Sequence, residues 1–185
     1  QSVVEVNVVL GKFKLINTIV DDLSHSKNLG VDSMGNLYVY AADVKSDTIK
    51  KIDLSGKVVG TIGKGILSNP EWVFVDASNN LYVTNHNGES VIKLDSSGKQ
   101  LLKIDAKTFR RANSVTVDAS GNIYVVDRDA DMVYKFDSSG KKVSSLGGKK
   151  FLNNPQGIAV ASNENILVVS QNNDEVVEFD QSGRV

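Results

Sequence analysis

Short apolar runs separated by polar turns recur along the chain. In one stretch these runs cover 115–117, 123–126, 132–136 and 143–146, and they are rich in Val, Ile, Tyr and Phe. Such runs, alternating or continuous and of strand length, favour β-strands. The segments between them carry Asp, Ser and Gly, which suit tight turns because Gly reaches positive φ and Asp and Ser hydrogen-bond the backbone of their own turn. The pattern predicts a four-stranded antiparallel meander with strands a to d.

The meander is a repeat, because two separate motifs return with one period of 42 to 44 residues. The first occupies 31–39 (VDSMGNLYV), 75–83, 117–125 and, in a worn form, 160–168 (VASNENILV). The second occupies 51–57 (KIDLSGK), 93–99, 135–141 and 178–184. Four strands in a repeat of this length are typical of a β-propeller blade, whereas a helical repeat would need long runs of 3.6-residue periodicity.

The units resemble NHL repeats. The opening of that repeat is matched by 154–160 (NPQGIAV), and its middle by 117–127 and 133–137 (VYKFD). The resemblance extends over 20–185 and implies an all-β propeller of NHL-like four-stranded blades. It implies little about activity, since propellers of this kind serve as binding modules and as enzymes.

The period predicts one segment of a propeller over 1–185, divided as follows: strands c and d of a preceding blade at 1–19, blades at 20–63, 64–105 and 106–147, and an incomplete blade at 148–185. Because the chain begins in the middle of a repeat, we favour a slice of a larger, six-blade-type propeller. A closed ring of four blades with a displaced N-terminal strand is the alternative. An open slice would leave unpaired strand edges, through which the protein could associate with itself.

Composition narrows the classes of partner. The 185 residues carry a formal net charge of −1, so no domain-wide basic field favours nucleic acid, and we expect no nucleic-acid partner. No apolar run is long enough to span a bilayer. Cysteine is absent, which excludes disulfides and thiolate metal sites. The chain begins at Gln1, and we expect an extracellular or periplasmic location, with a cytoplasmic one left open.

A functional site is expected on the face where the d–a and b–c connections emerge, since loops on a rigid scaffold carry function. These connections are predicted at 20–27, 42–47, 64–70, 85–89, 106–113, 127–131, 147–155 and 171–174.

Candidate metal ligands are few. The two histidines, His25 and His86, do not reproduce the three-histidine zinc site of the peptide-amidating lyases that share the propeller fold. Residues 127–131 have Asp-x-Asp-x-Asp spacing without the Gly and closing Glu of an EF-hand loop, so a hairpin is favoured over a cation site. By analogy with lactonase-like propellers, the first of these aspartates could converge with Asn85 and Gln171. We expect no cofactor and no metal.

Trp72 is the only tryptophan and stands where the other units have Asn28, Ser114 and Gly157. At the start of a channel-lining strand it could stack on a sugar ring, a peptide or a base. It could equally fill space, and we favour this second use because aromatic side chains usually serve packing first.

Two neighbouring loops are basic and contain an aromatic residue: 107–111 and 149–151. Some NHL proteins bind RNA through a basic rim with exposed aromatics, which gives these loops one interpretation. Ordinary solvated charge, with Phe109 and Phe151 tucked between blades, is favoured at this net charge.

These features predict a non-enzymatic propeller module that presents its rim face to a protein, peptide or glycan. A propeller enzyme of the lactonase or lyase kind with a central divalent metal is one alternative, and an RNA-binding NHL module is another. No catalytic residue is assigned. The candidate binding residues are Trp72, His86, Phe109, Arg110, Arg111, Arg128 and Lys150.

Overall fold

The computed structural model describes residues 7–8, 11–12, 26–32, 39–53 and 55–185, and in this part of the chain every regular element longer than one turn is a strand. The strands are β1 (Asn7–Val8), β2 (Gly11–Lys12), β3 (Ser26–Val31), β4 (Val39–Asp43), β5 (Thr48–Ile52), β6 (Val58–Ile62), β7 (Pro70–Val75), β8 (Leu81–Asn85), β9 (Ser90–Leu94), β10 (Gln100–Ile104), β11 (Ala112–Val117), β12 (Ile123–Asp127), β13 (Met132–Phe136), β14 (Lys142–Gly147), β15 (Pro155–Val160), β16 (Ile166–Ser170) and β17 (Glu175–Phe179). Three 3₁₀ turns lie at Ala106–Thr108, Arg128–Ala130 and Gln171–Asn173.

The strands form antiparallel meanders in chain order. Blade 1 is β3 to β6, blade 2 is β7 to β10 and blade 3 is β11 to β14, each with four strands, and blade 4 is β15 to β17 with three. The first strands of successive blades, β3, β7, β11 and β15, contact one another in sequence and form the inner edge of the array. The prediction of an all-β propeller with four-stranded antiparallel blades is therefore confirmed.

Each hydrophobic core lies between two blades, because both faces of a middle strand are covered. In β8, Leu81 and Val83 pack towards blade 1 in a cluster with Ile49. The residue between them, Tyr82, packs towards blade 3 in a cluster with Ile123. Strict alternation along a strand sends successive side chains to opposite faces, so one strand contributes to two cores. A third cluster joins blades 3 and 4 in the same way.

A repeated turn closes the c–d hairpins at Asp53, Asp95 and Asp137, and the same turn follows β17 at Asp180. The Asp137 carboxylate accepts hydrogen bonds from the backbone N–H of Ser139 at 3.0 Å, its hydroxyl at 2.6 Å and the N–H of Lys141 at 3.0 Å. Gly140 follows at φ 83°, which an L side chain rarely adopts. The Ser139 hydroxyl, and then the Lys141 N–H, hold the pKa of Asp137 below its usual value. The predicted turn chemistry is thus present.

The ends of the array are described in part. Near the N-terminus, β1 and β2 pair antiparallel as a separate sheet, and the rest of 1–19, predicted as strands c and d of a preceding blade, lies outside the described residues. Blade 4 pairs β17 with β16 on one side. One face of this sheet is open among the described residues, with Val169 43% and Val176 63% exposed.

Candidate functional site

The d–a and b–c loops emerge together because a polar residue at the end of each second strand ties them. The Asn85 side chain accepts from the backbone N–H of Ser68. The Ser170 hydroxyl accepts from the N–H of Asn153 at 3.0 Å. Asp127 is fully buried and occupies the equivalent position in blade 3. These side chains fix one loop face, which we define as the segments 44–47, 63–69, 86–89, 105–111, 128–131, 148–154 and 171–174.

Each d–a loop is also anchored by one apolar side chain. Leu67, Phe109 and Leu152 occupy equivalent positions three residues before the next inner strand, and each is buried in the cluster between its two blades. Phe109 lies with its ring centroid 5.7 Å from that of Phe136 and 6.0 Å from that of Tyr134. This position matches the prediction that Phe109 is tucked between blades. A ligand on the loop face could therefore contact Phe109 only at the bottom of a cavity.

A second hydrogen bond crosses from one blade to the next. The Asp131 carboxylate of blade 3 accepts from the backbone N–H of Asn154, in the loop leading into blade 4, at 2.8 Å. The Asp47 carboxylate accepts in the same way from Asn69, between blades 1 and 2. Both links join a left-handed acidic residue of a b–c loop to the residue just before the next inner strand. These hydrogen bonds link neighbouring blades at the loop face.

The seam between blades 2 and 3 is built differently. Asp127 accepts from the N–H of Arg110 at 2.7 Å with one carboxylate oxygen and from that of Arg111 at 2.9 Å with the other. Arg111 stands where the other two seams have asparagine, and its N–H is used within its own blade because the second oxygen of Asp127 accepts it. Glu89, the residue equivalent to Asp131, is exposed. The cross-blade bond found at the two neighbouring seams is replaced here by an opening.

The opening is a cavity of about 320 Å³, which we call the seam pocket. Blade 2 contributes the b–c loop and blade 3 contributes the loop leading into β11. Four of the seven candidate residues therefore come together here. Its lining consists of His86, Asn87, Glu89, Phe109, Arg110, Arg111 and Ala112.

The two arginines of the seam pocket differ in environment. Nη2 of Arg111 lies 3.5 Å from Oε1 of Glu71, and Nε of Arg111 is buried without a hydrogen-bond partner among the described residues. Arg110 is exposed, and its guanidinium forms no ion pair within the described part of the chain. Burial raises the pKa of Tyr134 beneath the loop, and the charge of Arg110 opposes that rise. Glu71 and Glu89 are not among the residues predicted for this site from the sequence. The only sequence signal for them would have been an alignment of equivalent positions in the repeats.

Arg128 and Lys150 lie elsewhere on the array. The Arg128 guanidinium donates to the side-chain oxygen of Asn154, within a network that includes Gln156 and Gln171 at the seam between blades 3 and 4. The Lys150 ammonium lies 4.9 Å from the ring centroid of Phe151 and borders an open depression of about 800 Å³ along the free face of blade 4. Neither residue reaches the seam pocket.

Trp72 lies on the inner side of the array. Its Cη2 atom is 4.0 Å from the position that a Cβ on Gly157, the equivalent residue of blade 4, would take, so the ring extends towards the start of that blade. It also packs against the cluster between blades 2 and 3 and is partly buried. All four inner strands border a cavity of about 400 Å³ beside it. The geometry favours the packing role for Trp72.

The candidate metal ligands are engaged within their own blades. Asp127 and Asn85 hold loop N–H groups, and the Gln171 side-chain oxygen accepts from Asn154 at 2.8 Å and Gln156 at 2.9 Å. Within residues 127–131, the central aspartate, Asp129, is exposed. The outer two, Asp127 and Asp131, accept hydrogen bonds from backbone N–H groups, as expected of a hairpin. No group of three or more His, Asp or Glu side chains suited to a metal occurs among the described residues. His25 lies outside them.

Comparison with known proteins supports the fold and no family. The sequence matches no protein-family model and no curated protein. Among solved structures, the chain is similar to streptogramin B lyase (TM-score 0.73, 14% identity, 87% of this chain and 53% of that chain). It is also similar to the Kuenenia stuttgartiensis hydrazine synthase (0.74, 17%, 94% and 51%) and to a chain in the nidogen–laminin complex (0.75, 20%, 90% and 64%).

The protein is accordingly a β-propeller array, and these identities bear on the fold alone. It spans between 51% and 64% of the length of the solved chains named above, in agreement with a segment of a larger propeller. In the described part of the chain, no helix has the length and apolar character needed to cross a bilayer. NHL membership and the domain boundaries drawn from the repeat remain predictions.

Proposed function

We propose that the protein is a non-catalytic propeller module that binds a protein partner, through an extended peptide segment, on its loop face. The observation that carries this proposal is the seam pocket, where His86, Phe109, Arg110 and Arg111 converge on a cavity of about 320 Å³. Ligand pockets in proteins begin at about this size and combine an apolar floor with a few polar groups.

The lining favours a peptide over a glycan. Arginine is enriched at protein interfaces, and a partly buried arginine at the centre of a patch is a common source of binding energy. A sugar is usually held by an exposed aromatic platform. Here Phe109 is only 7% exposed, and Trp72 is partly buried against the cluster between blades 2 and 3. An extracellular or periplasmic location is part of the proposal and is tested by cell fractionation.

The same face supports an extended ligand beyond the pocket. Asn154, Gln156 and Gln171 at the next seam present side-chain amides that can donate to and accept from a peptide backbone. The polar network and the seam pocket lie on successive b–c loops of one face. A peptide crossing both would be fixed at one end by charge and along its length by hydrogen bonds.

The test is selection of peptides from a random display library on the immobilised protein, followed by affinity measurement with the selected peptides. His86→Ala and Arg110→Ala on the loop face should each weaken binding at least about fivefold, since interface arginines often contribute more than about 1 kcal/mol. Lys99→Ala and Lys141→Ala on the opposite turns are the matched controls and should bind normally. Enrichment only of glycans or of RNA in parallel screens, or equal losses in both pairs of variants, would contradict the proposal.

A further inference from the structure

We propose that the seam pocket is a carboxylate-binding site, with Arg111 as its principal donor, and that it recognises an acidic residue or a free C-terminus of the partner peptide. This inference rests on the proposed function, because it names the chemistry recognised by the same face.

The first argument is the orphaned donor. Nε of Arg111 is buried and has no partner among the described residues, although buried polar atoms nearly always have one. An unpaired buried donor on a charged group costs free energy that an arriving acceptor would recover. Arg111 lines the cavity and its side chain is 29% exposed, so a carboxylate in the pocket can meet the accessible part of the guanidinium, and it reaches Nε when the side chain turns towards it.

The second argument is positioning. Glu71, on the inner strand of blade 2, lies 3.5 Å from Nη2 of Arg111 and restrains the guanidinium from below the loop. A planar guanidinium held in place recognises a carboxylate through two parallel N–H bonds, which a lysine cannot reproduce. Arg110 adds a second exposed positive charge at the mouth, and Asn87 offers a side-chain amide beside it.

The third argument is the difference from the neighbouring seams. There, the protein's own Asp47 and Asp131 carboxylates lie at the equivalent place and accept an N–H from the adjoining blade. Between blades 2 and 3 that acceptor is replaced by the longer, exposed Glu89 and the cavity is left. A carboxylate from the partner would occupy the position that an internal carboxylate occupies at the other two seams.

The experiment uses N-acetylglutamate as probe, with N-acetylglutamine amide, in which both carboxylates are replaced by amides, as its neutral counterpart and inorganic phosphate as the competing oxyanion. The chain contains only four arginines, Arg110, Arg111, Arg128 and Arg184, so their Nε–H resonances can be resolved by nuclear magnetic resonance and assigned by substitution. N-acetylglutamate should shift the Arg111 Nε–H signal saturably, and N-acetylglutamine amide should not.

Variants separate a binding role from a structural one. Arg111→Lys should weaken N-acetylglutamate binding at least about tenfold, because lysine cannot donate two parallel N–H bonds to a carboxylate. Arg128→Lys should leave the affinity for N-acetylglutamate within about twofold of the wild type. Glu89→Gln should tighten binding about two- to threefold, because one repelling carboxylate at the mouth is removed. A purely structural role for Arg111 would leave N-acetylglutamate binding by folded Arg111→Lys unchanged from the wild type.

Three results would overturn the assignment: no saturable shift, an equal shift with N-acetylglutamine amide, or stronger binding of phosphate than of N-acetylglutamate. If selected peptides without any carboxylate still bind the loop face, the proposed function stands and the carboxylate site falls. If neither peptides nor N-acetylglutamate bind there, both proposals fall.

Discussion

Nη2 of Arg111 and Oε1 of Glu71 lie 3.5 Å apart, joining the loop that leads into blade 3 to the inner strand of blade 2. Their side chains are 29% and 13% exposed. This pair takes the place of the direct bond between Asp and a backbone N–H that joins the blades at the two neighbouring seams. A main-chain donor has thus been exchanged for a charged side-chain donor next to a cavity.

The Glu71–Arg111 pair should contribute little to stability. We expect a double-mutant cycle of Glu71→Gln and Arg111→Gln, read by urea unfolding, to give a coupling of about 0.2–1 kcal/mol, reduced at high salt because the pair is partly solvated. A coupling of zero at low salt would show that the two side chains do not meet. A coupling of several kcal/mol would make Arg111 a structural residue rather than a binding one.

The cross-blade bond of Asp131 should matter more. Asp131→Ala removes the acceptor for the Asn154 N–H and places alanine at φ 55°, so it should lower the free energy of unfolding by about 2–3 kcal/mol. Asp131→Asn keeps an oxygen and tolerates positive φ, and should recover most of that loss. Asp129→Ala, in the same loop but exposed, is the control and should change stability by less than about 0.5 kcal/mol.

Gly147 allows the apolar anchor of its loop to close. At φ 94°, a Cβ there would lie 2.5 Å from Cδ1 of Leu152, which is fully buried. Gly147→Ala should therefore cost about 3 kcal/mol or more in thermal or chemical unfolding. Gly65→Ala has similar backbone strain at φ 76° with no atom within 4 Å, and should cost only about 1–2 kcal/mol. Equal losses in the two variants would exclude steric contact with Leu152 as the cause.

Stability should fall in acid through the four aspartate turns. The pKa of each of these aspartates, Asp53, Asp95, Asp137 and Asp180, is held below the usual 3.8. In each turn the largest cause is a hydrogen bond from the side chain of the serine two residues later. Because the unfolded chain binds the proton more readily, the contribution is complete above pH 3.8 and is lost as the pH falls towards the lower folded values.

Urea unfolding at a series of pH values checks this dependence. Ser97→Ala and Ser139→Ala remove the largest cause of the shift in their turns and should flatten the acid limb of the stability curve. Ser120→Ala, which lies in an a–b turn outside these four aspartate turns, should leave that limb unchanged. A wild-type curve that is flat below pH 3.8 would contradict the role of these turns.

The fold could be predicted from two repeated motifs because strand and turn chemistry are local. Strand bounds were less accurate at the inner edge, where the pattern predicts a strand at 115–117 and β11 begins at Ala112. The extra residues are polar: Ser114 donates to the main-chain oxygen of Gln156 at 2.6 Å, and Asn113 donates to the same oxygen at 2.8 Å. Bonds to the next blade, which no local pattern reveals, hold them in the strand.

The site was predictable only in part. Exposed and basic character singled out Arg110 and Arg111 in one loop and His86 in another, but nothing local showed that they would share a cavity. That follows from how Asp127 uses both carboxylate oxygens within its own blade. Arg128, chosen by the same criteria, instead donates to Asn154 in the loop leading into blade 4, and Trp72, chosen as the only tryptophan, packs against the cluster between blades 2 and 3.

The most direct test of the account is a map of backbone amide chemical-shift changes when a selected peptide is added to the protein. The largest changes should fall at residues 86–89 and 109–112, around the seam pocket, with smaller ones at 153–156 and 171–173. The turns at 95–99 and 137–141 should stay unchanged. Changes concentrated in those turns, or along the inner strands beside Trp72, would contradict a binding site on the loop face.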